Sequence, residues 1–165
     1  MKKLITAIVI ATTMATSANA LTIPEEYSHS KYHSYEQHKE GVHYVMGFCD
    51  IHLEDASERV HHQDDYRDKG IKAYREYRSY KKLLLKTHNL NNADLYEFYE
   101  KGEVDSANSI LNGEAYDNIS HSDEGYLYGF VLRLDAEECS LELRLLKIGL
   151  DLFKENNYPE NLEDF

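Results

Sequence analysis

The sequence predicts an all-α fold, a compact single-domain helical bundle of about five helices with one intramolecular disulfide. Three observations lead to this prediction. Apolar residues recur at three- and four-residue steps over several long stretches, as on one face of a helix. Glycine, asparagine and proline fall between these stretches, where helices typically end. The chain has two cysteines, Cys49 and Cys139, which suits a single covalent cross-link.

The first twenty residues are predicted to be a secretory signal peptide. Two lysines precede an apolar run over residues 4–10, and Ala18 and Ala20 supply the small residues of a signal-peptidase cut. Threonine and serine interrupt the run, whereas a membrane anchor needs about 20 continuous apolar residues. We therefore expect cleavage after Ala20, a single helical domain over residues 21–165, and a periplasmic location without membrane insertion.

The composition is strongly acidic. The chain has 18 basic and 30 acidic residues, and removal of the two lysines of the signal peptide leaves 16 basic residues and a net charge of −14. Phosphate backbones and anionic lipid surfaces repel such a chain, so no nucleic-acid partner is predicted. The charge favours a basic protein partner, although acidity also keeps a secreted protein soluble.

The first helix is predicted from Ser34 to about residue 62. Ser34 and Gln37 have the spacing of a capping box, in which each side chain bonds the backbone N–H of the other residue. The apolar stripe of this helix consists of Val42, Val45, Met46, Cys49, Leu53, Ala56 and Val60. Because Cys49 lies at the centre of the stripe, the helix is expected to be tied covalently to a distant element.

A disulfide between Cys49 and Cys139 is predicted because the chain is expected in an oxidising compartment. It would close a loop of about 90 residues, for which the chain-entropy model gives roughly 4 to 5 kcal/mol of stabilisation. A catalytic thiol is the alternative. The chain has no C-x-x-C motif, however, and Cys49 lies on an apolar helical face, where a thiol is usually inert.

A second helix is predicted over residues 64–86, with Asp64 and Asp65 at its positive N-terminal end. Its main apolar stripe consists of Ala73, Tyr77, Tyr80 and Leu84. The segment also carries half of the basic residues of the mature chain, namely Arg67, Lys69, Lys72, Arg75, Arg78, Lys81, Lys82 and Lys86. Because the overall charge opposes a nucleic-acid or membrane-surface role, these residues are predicted to form a solvated helix face.

Two short helices are predicted next, over residues 93–101 and 106–111, with Gly102 ending the first. This part of the chain is acidic, with nine acids and one base, Lys101, between residues 94 and 124. Tyrosine, which is enriched at protein interfaces, lies among the acids. We therefore predict a partner-binding surface that consists of Asp94, Tyr96, Glu97, Tyr99, Glu100, Glu103, Asp105 and Tyr116.

The C-terminal part is also predicted to be helical. Residues 125–134 fit both the alternation of a strand and the spacing of a helix, and we favour a helix because a lone strand would have no partner. Beyond Asp135 two apolar stripes cover more than half of the helix girth. They consist of Leu141, Leu145, Ile148 and Leu152, and of Cys139, Leu143, Leu146, Leu150 and Phe153. This helix is therefore expected to be the central core element, with Leu162 and Phe165 folding back onto it.

The pattern Y-x-x-G-F occurs twice, at residues 44–48 and 126–130. Chance explains such a short repeat. The alternative is that it marks two helices that cross closely at Gly47 and Gly129, near the predicted disulfide.

The histidines raise a metal-binding hypothesis, because seven of the nine lie in one quarter of the mature chain. His29 and His33 are four residues apart, and His61 and His62 precede two aspartates. These four are the candidate ligands of a weak zinc or copper site. The other spacings place histidines on different sides of a helix, and H-E-x-x-H is absent. No other cofactor is predicted.

The chain lacks recognisable catalytic motifs. It has no G-x-S-x-G elbow, no phosphate-binding glycine loop and no EF-hand pattern. An enzyme is therefore not predicted, although a general acid and base assembled in space would leave no motif.

The predicted function is that of a periplasmic immunity or inhibitor-type binding protein, which neutralises a basic toxin or cell-wall hydrolase through an acidic, tyrosine-bearing surface. In signal, size and cysteine pair the chain resembles the small helical, disulfide-containing periplasmic immunity proteins of type VI secretion systems, which implies a toxin-neutralising role. The alternatives are a periplasmic metal-handling or stress protein that uses the histidine-rich region 29–62, and a small hydrolase. Monomer and homodimer both remain open.

Overall fold

The structure is a computed structural model. It describes residues 23–29, 34–91, 93–116 and 124–155. Three predicted features lie outside these ranges: the signal peptide over residues 1–20, the metal-ligand candidate His33, and the fold-back of Leu162 and Phe165.

Four α-helices make up the described fold. They are α1 (Tyr35–Arg59), α2 (Arg67–His88), α3 (Tyr96–Leu111) and α4 (Glu124–Glu155). Single turns of 3₁₀-helix lie at Glu25–Tyr27, Ala93–Leu95 and Glu114–Tyr116. The described ranges contain no strand, so the predicted all-α fold is confirmed.

The prediction of about five helices is wrong, because the predicted break at Gly102 is absent. Helix α3 continues through Gly102, where a β-carbon would lie 2.7 Å from the backbone nitrogen of Phe48. This close packing against α1 outweighs the helix propensity of glycine, which is about 1 kcal/mol poorer than that of alanine. Residues 125–134 are helical as predicted, and they form one continuous helix with the residues that follow them.

Helix α1 is the centre of the fold. Its residues 41–49 are all buried, and α2, α3 and α4 each pack against it. Contacts of Tyr44 with Asp105 and of Asp50 with Tyr99 show that α3 runs antiparallel to α1. Helices α3 and α4 pack extensively against α1, whereas α2 packs mainly against α4 and meets α1 at fewer positions.

Helix α4 packs against both α1 and α2, as expected of a core element, but only one of its two apolar stripes is buried. In the stripe that faces inward, Cys139, Leu143, Leu146 and Leu150 are fully buried and Phe153 is half-buried. The other stripe faces outward, with exposed fractions of 55% for Leu141, 53% for Ile148 and 50% for Leu152. Periodicity shows how much of a helix is apolar, but it does not show which side meets a neighbour.

The predicted disulfide is present between α1 and α4. Cys49 and Cys139 are fully buried, and their Cα atoms lie 6.2 Å apart. One turn away, Nε2 of His52 lies 2.7 Å from Oδ2 of Asp135, and both side chains are almost fully buried. Burial raises the pKa of Asp135 above its usual value, and the hydrogen bond with His52 opposes this rise. A covalent bond and a buried polar pair therefore fasten α4 to α1.

Two glycine contacts set close helix approaches. Between α1 and α3, a β-carbon on Gly47 would collide with the carbonyl oxygen of Tyr99. Between α2 and α4, a β-carbon on Gly70 would collide with the carbonyl oxygen of Gly129. The two glycines of the Y-x-x-G-F repeat thus contact different helices, and the suggested crossing of Gly47 and Gly129 is wrong.

Helix α1 begins with a local side-chain cap, whereas the start of α2 is held by a contact with another helix. The predicted capping box is confirmed, because Ser34 Oγ accepts the Gln37 N–H at 3.2 Å and Gln37 Oε1 accepts the Ser34 N–H at 2.9 Å. Asp64 lies before the start of α2 at Arg67 and is buried. Its Oδ2 accepts the backbone N–H of Gly129 at 2.6 Å. This aspartate therefore joins α2 to α4 rather than facing solvent.

Candidate functional site: a cleft between α2 and α3

Within the described part of the chain, α2 and α3 each pack against α1 but not against each other. The gap between them is an open cleft of about 570 Å³. Its walls come from three helices: His43 and Met46 of α1, Lys81 and Leu85 of α2, and Tyr96 and Tyr99 of α3. We call this feature the α2–α3 cleft. The connector between the two helices closes one end of it with Leu90, Asn91 and Ala93.

The side chain of Asp50 joins Lys81 and Tyr99, which line the cleft, to the buried Tyr77, and we call these four residues the cleft floor. Its Oδ1 accepts the hydroxyl of Tyr77 at 3.0 Å, and its Oδ2 accepts the hydroxyl of Tyr99 at 2.5 Å. The ammonium group of Lys81 also donates to Oδ2. One carboxylate of the central helix thus holds donors from both α2 and α3.

The tyrosines on this floor remain neutral hydrogen-bond donors. Burial, and then the hydrogen bond to Asp50, raise the pKa of Tyr99 far above its usual value. Burial and the negative charge of Asp50 act in the same direction on the pKa of Tyr77. The positive charge of Lys81 lies against Asp50, so the two charges compensate each other at the floor.

His43 holds the connector that closes the cleft. Its Nε2 lies 2.8 Å from the carbonyl oxygen of Leu90, and its Nδ1 lies 2.9 Å from that of Lys39. Helix α2 ends just before this point at His88, and the next residue, Asn89, has a left-handed φ of 53°. Because Leu90 is itself buried, the connector is anchored at its first residue.

The α3 side of the cleft carries negative charge and exposed aromatic surface. Tyr96 is 55% exposed and stacks on Tyr99, with ring centroids 6.0 Å apart. Glu100 is exposed and Glu103 is half-buried. Burial raises the pKa of Glu103, and the negative charges of Asp50 and Glu100 raise it further. The carboxylates beside the cleft therefore repel one another.

The structure divides the predicted partner-binding residues into groups. At about 100° per residue, Tyr96, Tyr99, Glu100 and Glu103 share the cleft side of α3, whereas Glu97 points outward. Asp94 is exposed and follows Ala93 of the cleft end. We define the acidic rim as Asp94, Glu97, Glu100 and Glu103.

The other two predicted residues lie elsewhere. Asp105 is on the far side of α3, where it accepts the hydroxyl of Tyr44 at 2.8 Å and lies 3.8 Å from the ammonium nitrogen of Lys101. Tyr116 ends the 3₁₀ turn Glu114–Tyr116, and its side chain is outside the described residues.

Sequence reasoning did not identify Asp50, Lys81 or His43 as parts of the site. Two signals were available. Asp50 is an acid directly beside the apolar stripe of α1, and Tyr77 and Lys81 are separated by four residues, so both lie on the same face of α2. Neither signal shows that Tyr99, which lies 49 residues after Asp50, bonds the same carboxylate.

The predicted metal-ligand histidines have different surroundings. His29 faces Oε2 of Glu142 through its Nδ1 at 2.6 Å. His61 and His62 are exposed, with ring centroids 6.4 Å apart. Among the described residues, no three His, Cys, Asp or Glu side chains converge on a common point that could hold a metal ion. A weak zinc or copper site that includes His33 stays a prediction.

In the ranges that the structure describes, no helix combines the length and the apolar character needed to cross a membrane. Comparisons of the chain with protein-family models, with curated proteins and with solved structures find no match.

Proposed function

We propose that the chain is a periplasmic immunity or inhibitor-type binding protein, which neutralises a basic toxin or cell-wall hydrolase through the acidic rim and the α2–α3 cleft. The observation that carries this proposal is that Glu100 and Glu103 lie on the same side of α3 as Tyr96 and Tyr99, which line the cleft. An acidic surface with an aromatic residue and an adjacent hollow suits a protein partner of opposite charge.

The electrostatics of Glu103 support a cationic partner. Its pKa is raised by burial and by Asp50 and Glu100, with Lys81 opposing the rise, so ionisation of this carboxyl is less favourable than in water. Lysine or arginine side chains placed against the rim would relieve this repulsion. A cationic partner would therefore favour the ionised form of Glu103.

The net charge supports the same class of partner. A strongly acidic chain attracts basic proteins over a distance set by ionic strength, so encounter is accelerated mainly at low salt. Short-range contacts with Tyr96 and the cleft would then slow dissociation. Rapid capture and slow release suit a protein that has to inactivate a toxin before it acts.

The proposal is tested by measuring binding to purified secreted enzymes, beginning with the product of the neighbouring gene. Association rates are compared between about 0.01 M and about 1 M ionic strength, over which the Debye length falls from roughly 30 Å to roughly 3 Å. Inhibition of peptidoglycan hydrolysis, or of the toxin's own activity, is measured in parallel. The expected result is inhibition with an association rate that falls steeply with salt.

A triple charge reversal tests the location of the interface. Glu97→Lys, Glu100→Lys and Glu103→Lys together should reduce the association rate strongly. The matched control makes the same change in charge on α1 and α2, through Glu58→Lys, Asp68→Lys and Glu76→Lys, at three exposed acids. An equal effect of both triple variants would support a non-specific charge effect, and an unchanged affinity of the rim variant would place the interface elsewhere.

A further inference from the structure

The inside of the α2–α3 cleft is apolar, although its surroundings are charged. Met46, Leu85, Leu90 and Ala93 contribute side chains to it, and Tyr96 and Tyr99 contribute aromatic rings. Its volume of about 570 Å³ lies within the range of roughly 300–1,000 Å³ that is typical of ligand pockets. The hollow is therefore large enough for a bulky side chain.

The polar groups inside the cleft are already engaged. Lys81 and the hydroxyl of Tyr99 both donate to Asp50. The two ring nitrogens of His43 face the carbonyl oxygens of Lys39 and Leu90. An apolar group that enters the cleft would leave these bonds intact, whereas a cationic group would approach the ammonium of Lys81. The chemistry of the interior thus favours an uncharged, apolar occupant.

The rim has the opposite preference. Glu100 and Glu103 lie on the cleft side of α3, and Asp94 follows Ala93 at the end of the cleft. Burial and the negative charges of Asp50 and Glu100 raise the pKa of Glu103, although Lys81 opposes the rise, so added positive charge would favour its ionised form. A partner segment that fills the cleft must therefore present positive charge on either side of its apolar group.

We propose that the cleft receives one aromatic or large aliphatic side chain from a basic segment of the partner protein, flanked by lysine or arginine residues that contact the acidic rim. This inference rests on the proposed function and specifies its partner. A buried anchor in a pocket, surrounded by weaker polar contacts that exclude water, is the arrangement in which a few residues carry most of the binding energy.

The proposal is tested with the mature, oxidised protein and three end-capped, fluorescently labelled peptides. One has a central phenylalanine flanked by four lysines on each side, the second has alanine in place of phenylalanine, and the third has glutamates in place of the lysines. Binding is followed by fluorescence anisotropy. The phenylalanine–lysine peptide should bind about tenfold or more tightly than the alanine peptide, because burial of the aromatic ring is lost in the latter.

A cleft-filling variant provides the structural control. Ala93→Phe places an aromatic ring in the cleft and should remove the preference for phenylalanine while leaving the salt-dependent binding of the alanine peptide in place. Asn108→Phe adds the same side chain at an exposed position of α3 outside the cleft and should preserve the preference. Circular dichroism and thermal melts verify that both variants fold.

Several outcomes would overturn the inference. Equal binding of the phenylalanine and alanine peptides, or no binding of either, would show that the cleft takes no anchor. Equal binding of the lysine and glutamate peptides would show that the rim has no part in recognition. A dimer of the free chain that Ala93→Phe dissociates would assign the cleft to a second copy. The assay with the secreted enzyme remains independent, because an acidic surface can neutralise a basic toxin without an anchor.

Discussion

Tyr99 of α3 donates its hydroxyl hydrogen bond to Asp50 of α1 over 2.5 Å. This bond joins the helix that carries the acidic rim to the centre of the fold. Tyr99→Phe should lower the free energy of unfolding by about 1.5–3 kcal/mol, the usual worth of a hydrogen bond to a charged group. Urea denaturation measures the loss. The matched control, Tyr96→Phe at a largely exposed ring, should change it by less than about 0.5 kcal/mol; equal losses would contradict the assigned role of Tyr99.

The glycine at the crossing of α1 and α3 leads to a second prediction. Gly47→Ala improves helix propensity by about 1 kcal/mol but places a methyl group against the backbone of Tyr99. Overpacking against backbone typically costs about 1–3 kcal/mol, so the net effect should be a lower melting temperature. Asn108→Ala is the control, because it also improves helix propensity on α3 but at an exposed position. A Gly47→Ala protein as stable as the parent would mean that α1 and α3 are further apart.

The buried pair of His52 and Asp135 should be coupled energetically. Asp135→Ala leaves His52 without its partner carboxylate in a buried position, and breaking a buried pair on one side typically costs about 3–5 kcal/mol. His52→Ala should have a similar effect. The double variant should lose clearly less than the sum of the two, as measured by denaturant unfolding in a double-mutant cycle. Strict additivity would show that the two groups stabilise the fold independently.

Glu103 should make stability depend on pH in a defined direction. Its pKa is raised in the folded chain, so the protonated form is favoured on folding, and the unfavourable ionised form develops as pH rises through the folded pKa. Glu103→Gln should therefore raise the melting temperature near neutral pH. This gain should vanish below pH 4.5, the ordinary pKa of a glutamate side chain.

The same substitution should weaken partner binding at neutral pH, because it removes one charge from the acidic rim. Glu137→Gln is the control, since Glu137 is an exposed acid of α4 that pairs with Arg133 and lies away from the rim. The stability prediction would be contradicted if Glu103→Gln lowered the melting temperature at neutral pH below that of the parent.

The features that the sequence predicts correctly are local or covalent. The Ser34–Gln37 capping box depends on spacing within one turn, and the Cys49–Cys139 disulfide follows from the presence of two cysteines and an expected oxidising compartment. The helical state of residues 125–134 follows from their spacing once strand pairing is excluded. These arguments need no knowledge of how the helices pack.

The features that the sequence misses depend on the relative placement of helices. Gly102 is a helix breaker by propensity, yet it permits close packing against α1. Glu103 and Asp105 are equally acidic, but two residues of helical rotation place them on opposite sides of α3. The cleft floor is even harder to predict from sequence. Tyr77 and Tyr99 both donate to Asp50, but they come from helices that do not pack against each other in the described residues.

Cys49 and Asp50 are consecutive residues of α1, and they serve different neighbours: one is bonded to α4, and the other holds α2 and α3. Consecutive positions of an α-helix differ by about 100° in direction. Inserting or deleting a single residue in the buried stretch 41–50 would therefore turn one of these attachments away from its partner. Among diverged descendants of this chain, length changes should accumulate at the exposed residues 61–63 and be absent from this stretch.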